Sequence, residues 1–171
     1  MRTVGNTHAM TSEPTNLWYH AEAPLLSADT VWVELPDGRP YARFHRRDAR
    51  DAPRWGWTGG ILEDFTLEAH RTAASFLVTD RHGAPFGRVL RRGLLMPRLV
   101  ATDAHHERFS IGLDGRIQSA RGARDPLGLL ELHQLGDLRA ELPATADHTL
   151  RALLLAAPLC HVAQARAMQA A

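Results

Sequence analysis

The sequence predicts a mainly β fold: a barrel or sandwich of short antiparallel strands, with one buried helix at the end of the chain. Three observations predict it. One short unit occurs twice, 45 residues apart, as VWVELPDGRPYARFHRR from Val31 to Arg47 and FLVTDRHGAPFGRVLRR from Phe76 to Arg92. A hairpin of this kind cannot bury its apolar face alone and must close on its copies. Turn signals then recur roughly every eight to twelve residues, too closely for βαβ units. Finally, RALLLAAPLCHVAQARAM from Arg151 to Met168 is apolar most of the way round, as a helix buried on most sides would be.

Taken in order, residues 1–16 are polar and read as a flexible lead-in, leaving 17–171 as one domain. Leu17-Trp18-Tyr19 forms a short first strand. Val31, Val33 and Leu35 alternate with Trp32 and Glu34, which is strand periodicity. Pro36-Asp37-Gly38 supplies the positive-φ turn position, and Tyr41 to Phe44 returns. Residues 48–60, DARDAPRWGWTGG, read as a Pro/Gly-rich connection, and Ile61 to Ala69 as a strand. The second copy turns at His82-Gly83. Superposed without a gap, Val33 meets Val78, Gly38 meets Gly83, Pro40 meets Pro85 and Arg43 meets Arg88. Leu94 to Ala101 and Arg108 to Leu113 read as strands, the latter turning at Asp114-Gly115 into Arg116-Ile117-Gln118. Leu127 to Leu132 and Leu138 to Leu142 form a further strand pair, with helix as a competing reading. The terminal helix spans about 145–168, with Thr145 or Asp147 as N-cap. Pro158 is expected to kink it or to end a first segment.

A formal net charge of +1 gives no global field toward nucleic acid or an anionic membrane. All 20 basic residues are arginine, which suits bidentate phosphate contacts but also fits an Ala-, Gly- and Pro-rich composition of GC-rich origin. Cys160 is the single cysteine, so an internal disulfide and a thiolate metal cluster are excluded. Residues 1–16 carry no apolar signal core. The run from Leu150 to Ala165 is broken by Arg151, Pro158, His161 and Gln164, so no transmembrane segment is expected. The expected location is a bacterial cytoplasm, with peripheral contact at the inner membrane face.

The hairpins VELPDGRPYARFHRR and LVTDRHGAPFGRVLRR, with the tail ADHTLRALLLAAPLCHVAQA, resemble the tubby C-terminal-like superfamily. Within it the chain is most similar to LURP-one-related and phospholipid-scramblase-like proteins. The resemblance covers about residues 17–170. It implies a closed antiparallel β-barrel of about twelve strands around a buried, nearly all-apolar C-terminal helix. It also implies a non-catalytic module that binds anionic phospholipid or phosphoinositide-like head groups through basic residues. The cysteine-rich acylation segment of animal scramblases is missing, and no acidic run before the helix makes a calcium loop. Lipid scrambling is therefore not expected.

The candidate anion site comprises Arg43, Arg46, Arg47, Arg88, Arg91 and Arg92. With the hairpins side by side, their ends converge on a phosphate or lipid head group. Adjacent strand residues face opposite ways, so only one of each Arg pair joins a cluster. The bland reading is a solvated rim whose charges block edge aggregation. Trp55 and Trp57 are candidate interface residues for a bilayer or a protein partner, or else a plug for one end of the barrel. A structural or protein-interaction scaffold is the alternative function.

His105-His106-Glu107 reads as a polar hairpin loop rather than a metal site, and no metal or cofactor is expected. His161 reads as a core or rim histidine. None of the five serines lies in G-x-S-x-G, GWTGG at 56–60 lacks the lysine of a phosphate loop, and Glu63-Asp64 lie on opposite strand faces. An enzyme is therefore not expected.

Overall fold

The computed structural model describes residues 15–25, 27–47, 54–60, 65–70, 75–80, 82–122, 124–133, 137–145 and 147–169; for 47, 54–60, 65–70 and 167 the description is of the backbone. Its strands are β1 (Thr15–His20), β2 (Thr30–Glu34), β3 (Pro40–Arg47), β4 (Arg54–Gly60), β5 (Phe65–His70) and β6 (Ser75–Asp80). There follow β7 (Pro85–Arg92), β8 (Arg98–Thr102), β9 (Glu107–Ile111), β10 (Arg116–Ser119), β11 (Gly128–Leu132) and β12 (Leu138–Leu142). One helix, α1 (His148–Gln169), ends the chain. The fold is thus a mainly β antiparallel sheet with a C-terminal helix. Each strand pairs with its sequence neighbours, and β1 pairs with both β12 and β2.

The internal repeat extends to backbone detail. Register shifts fall between Val33 and Glu34 in the β2–β3 pair and between Val78 and Thr79 in the β6–β7 pair, at equivalent positions. Gly38 and Gly83 hold φ of 80° and 88°, which L side chains rarely adopt. The Gly38 amide donates to the Leu35 carbonyl, and the Gly83 amide to the Asp80 carbonyl. Only the turn chemistry differs. Asp37 pairs with Arg39 at 2.7 Å, whereas Asp80 accepts the His82 and Ala84 amides at 2.8 Å each.

Alternation along the strands sorts side chains to two faces. Val31, Val33, Phe44, Phe76, Val78, Val89, Phe109 and Ile117 are fully buried in one core with Leu153, Leu155, Leu159 and Val162 of α1. Side chains of β1–β3 and β6–β12 join that core, as suits a helix that is apolar over most of its surface. The Tyr19 hydroxyl donates to the Leu155 carbonyl at 2.9 Å, a buried polar tie between sheet and helix. Burial pushes its pKa well up, so the phenol keeps the proton it donates. Asp147 caps the helix: its carboxylate accepts the Leu150 amide at 3.0 Å, while the Thr145 hydroxyl accepts the Asp147 amide.

Several expectations are corrected. The Pro/Gly-rich connection at 48–60 contains a strand, because Arg54 to Gly60 pairs on both sides with β3 and β5. Pairing from two neighbours overrides the poor strand preference of its glycines. Thr15 and Asn16 belong to β1, opposite Leu142 and Glu141, rather than to a lead-in. The strand expected from Leu94 begins at Arg98, since Arg92 pairs with Arg98 and closes the hairpin there. α1 runs through Pro158 as one 22-residue element instead of ending at it. Gly128–Leu132 and Leu138–Leu142 are strands rather than helix, β11 paired with β12. Residues 1–14 and 61–64 lie outside the described residues.

Candidate functional site

Strand order decides which arginines meet. β4, β5 and β6 stand between β3 and β7, so the two return strands are four spacings apart, roughly 19 Å along the sheet. The hairpins do not lie side by side, and Arg43, Arg46, Arg88 and Arg91 do not form one cluster. The pleat separates them further. Arg43, opposite Trp32, and Arg88, opposite Leu77 and Thr102, are exposed on the outer face. Arg46 and Arg91 continue the inward rows of Phe44 and Val89 past their last buried residue and emerge exposed at the rim. Arg46 donates to the Ser27 carbonyl at 3.3 Å. The Arg47 side chain lies outside the described residues.

The β7–β8 hairpin gathers arginines more tightly than the repeats do. Arg92 pairs directly across the ladder with Arg98, and Arg91 stands beside it opposite Leu99. All three are exposed. Glu107 lies 3.6 Å from Arg92, while Arg91 and Arg98 have no carboxylate partner among the described residues. The loop between them presents Leu94, Leu95 and Met96 at 100%, 98% and 86% exposure. Neither Arg98 nor this loop stood out in the sequence, where L-L-M reads as the start of a strand. The flanking pattern R-R-G-L-L-M-P-R was the available signal.

Trp55 and Trp57 are two apart on β4, hence on one face of that strand, with Trp57 opposite Arg46 and Leu67 and Trp55 opposite Ala69. Their side chains lie outside the described residues. The 103–106 segment is a loop, as expected for His105-His106. Asp103 organises it by accepting the His105 and His106 amides at 2.8 and 2.9 Å.

Asp103 also belongs to an ion triad that no spacing in the sequence announces. Arg108 reaches Asp103 through Nη1 and Asp147 through Nη2, both at 2.6 Å, and so ties the β8–β9 loop to the helix cap. Burial pushes the Asp103 carboxyl up, but the Arg108 hydrogen bond and the two histidine amides outweigh it and hold it well below the usual range. For Asp147 burial is likewise outweighed, by Arg108 and the Leu150 amide, and its pKa is lowered. On α1, His161 is buried, and burial lowers its pKa against a small opposing pull from Asp114. Cys160 is fully buried, its thiol pushed far up by desolvation, so it is an inert core residue.

Outside the sheet, an open groove of about 430 Å³ runs over β1, β11 and β12, lined by Trp18, Leu129, Glu131 and Arg139 among others. Arg139 sits 5.9 Å from the Trp18 ring centroid. This groove brings together no nucleophile and base at hydrogen-bond distance among the described residues. No helix among them is long and apolar enough to cross a membrane. No protein-family model and no curated protein matches the sequence.

Proposed function

We propose that this protein is a non-catalytic binding module of tubby and LURP-one-like design, a closed barrel around α1 that docks on anionic lipid and holds phosphate-bearing head groups. The arginines at the ends of β7 and β8 are the contact residues. One observation carries the reading: Arg92 and Arg98 are directly paired across antiparallel strands, with Arg91 adjacent, and all are exposed. Like charges placed directly opposite destabilise a ladder. Glu107, 3.6 Å from Arg92, offsets part of that repulsion, and an anion bridging Arg92 and Arg98 on their shared face relieves the rest, with Arg91 on the other side of the hairpin at the same rim. This site replaces the four-arginine patch expected from the repeats, with one residue of each doublet beside Arg43 and Arg88: Arg91 and Arg92 are retained as candidates, and Arg43, Arg46 and Arg88 stand apart.

The test is co-sedimentation of the purified protein with phosphatidylcholine vesicles, with and without phosphatidylserine, at low and at physiological salt. Binding should require the anionic lipid and weaken with salt. Arg91→Ala and Arg98→Ala should each weaken it about five-fold, the equivalent of about 1 kcal/mol per basic residue near such a surface. Equal binding to neutral vesicles, or indifference to salt, overturns the reading.

A further inference from the structure

Resting on that anionic-surface reading, we infer that the Gly93–Pro97 loop is an apolar wedge that enters the acyl boundary of the bilayer while Arg91, Arg92 and Arg98 engage the head groups. Antiparallel strands reverse direction at each connection, so the connections alternate between two ends of the sheet. Phe86, at the start of β7, makes an edge-on contact with His148 at the start of α1, with centroids 5.2 Å apart. The helix therefore begins at the end opposite the β7–β8 loop and runs toward that loop. Its 22 residues span about 33 Å against about 27 Å for the eight of β7, so the last turn emerges there.

Apolar exposure is concentrated at that same end. Among the described residues, seven large hydrophobics are exposed: Trp18, Leu94, Leu95, Met96, Leu113, Leu132 and Met168. Leu113 is in the β9–β10 turn, Leu132 ends β11 and Met168 is in the last turn of α1, so all but Trp18 lie at the loop's end. Scattered apolar residues are ordinary on a surface, but three consecutive ones at a loop tip with one-sided company are not.

The loop is built to present them. Gly93 holds φ +88°, and a Cβ there would lie 2.6 Å from the Met96 carbonyl oxygen, so the chain folds tightly back on itself. Pro97 is buried and anchors the base. The segment from Arg91 to Arg98 contains three arginines and no carboxylate. Among the described residues, the other carboxylates at this end are Glu22, Asp29, Asp114, Glu131 and Asp137, of which Asp114 lies 3.5 Å from Arg116. A second copy seated on this loop would set arginines against arginines. An anionic bilayer meets both halves of the pattern, charge at the head groups and hydrocarbon below.

The experiment labels Leu95→Cys with an environment-sensitive fluorophore; the buried Cys160 leaves the loop as the reactive position. With phosphatidylserine-containing vesicles the emission should shift to the blue and be quenched by spin labels on the acyl chains. In parallel, Leu94→Ser combined with Leu95→Ser, with an unchanged circular dichroism spectrum, should bind at least about ten-fold more weakly, including the fraction that survives high salt. Vesicle-bound protein whose label stays in water, and whose serine variant binds normally, overturns the wedge and leaves the head-group reading intact. Failure of the wild type to bind anionic vesicles overturns both, and quenching absent from vesicles but produced by an added protein assigns the loop to a protein partner instead.

Discussion

Replacing Arg108 by methionine removes the one cation that joins two carboxylates while keeping a side chain of similar length. Arg108 is 19% exposed, Asp103 9% and Asp147 30%, so this is neither a surface pair nor a dry one. Two hydrogen bonds to charged groups contribute about 1.5–3 kcal/mol each. Solvent near Asp147 reduces its share, and the backbone amides that Asp103 keeps limit how far its charge is stranded. A net loss of about 2–4 kcal/mol follows, equivalent to a fall in Tm of about 5–15 °C for a domain of this size. Urea titration followed by circular dichroism measures it. The pH dependence distinguishes the ion triad from simple lost packing. Both carboxyl groups have folded pKa values below the unfolded value. Their contribution is therefore fully present above about pH 4 and is lost as the pH falls through the folded values. The gap between wild type and Arg108→Met should be constant near neutrality, begin to shrink below about pH 4 and go on shrinking as the pH falls toward the folded values. A loss under about 1 kcal/mol at neutral pH, or a gap that acid leaves unchanged, refutes the reasoning.

The helix carries two further predictions. Deleting residues 150–171 should abolish the cooperative unfolding transition and the near-ultraviolet dichroism of the sheet, because the inward faces of the strands lose their shared core; a truncated chain that melts cooperatively contradicts this. Leu159→Ala, at a fully buried position, should cost about 2–5 kcal/mol by denaturant titration, and a loss below about 1 kcal/mol would mean that α1 is peripheral.

The two repeated hairpins were readable because alternation and a glycine at a fixed offset are local signals, and both copies show them. The terminal helix was readable for a similar reason, since an all-apolar helix requires surroundings on every side. β4 was hidden because R-W-G-W-T-G-G has the composition of a loop, and only pairing from β3 and β5 makes it a strand. The converse error occurred at Leu94-Leu95-Met96, whose apolar run resembles a strand. The Arg92–Arg98 pairing excludes it from the ladder. The arginine doublets were visible as chemistry, but their grouping depends on how many strands separate them, and no local pattern encodes that. Arg108 and Asp147 meet across 39 residues of chain through the same long-range geometry, and Asp103 joins them from five residues before Arg108.

Where a ligand can bind follows from how the interior is used. Leu153, Ala156, Ala157, Leu159 and Cys160 are buried in one core with the inward-facing side chains of the described strands, so that interior is filled by the chain itself. A ligand would have access to the outer face and the two ends of the sheet. At the end where α1 starts, the Asp147 cap and the Asp103–Arg108–Asp147 triad pair three charges with one another. At the other end Arg91 and Arg98 lack carboxylate partners among the described residues, and Leu94 to Met96 face solvent. A folding requirement alone does not explain that asymmetry, and the proposed binding surface at the β7–β8 end rests on it.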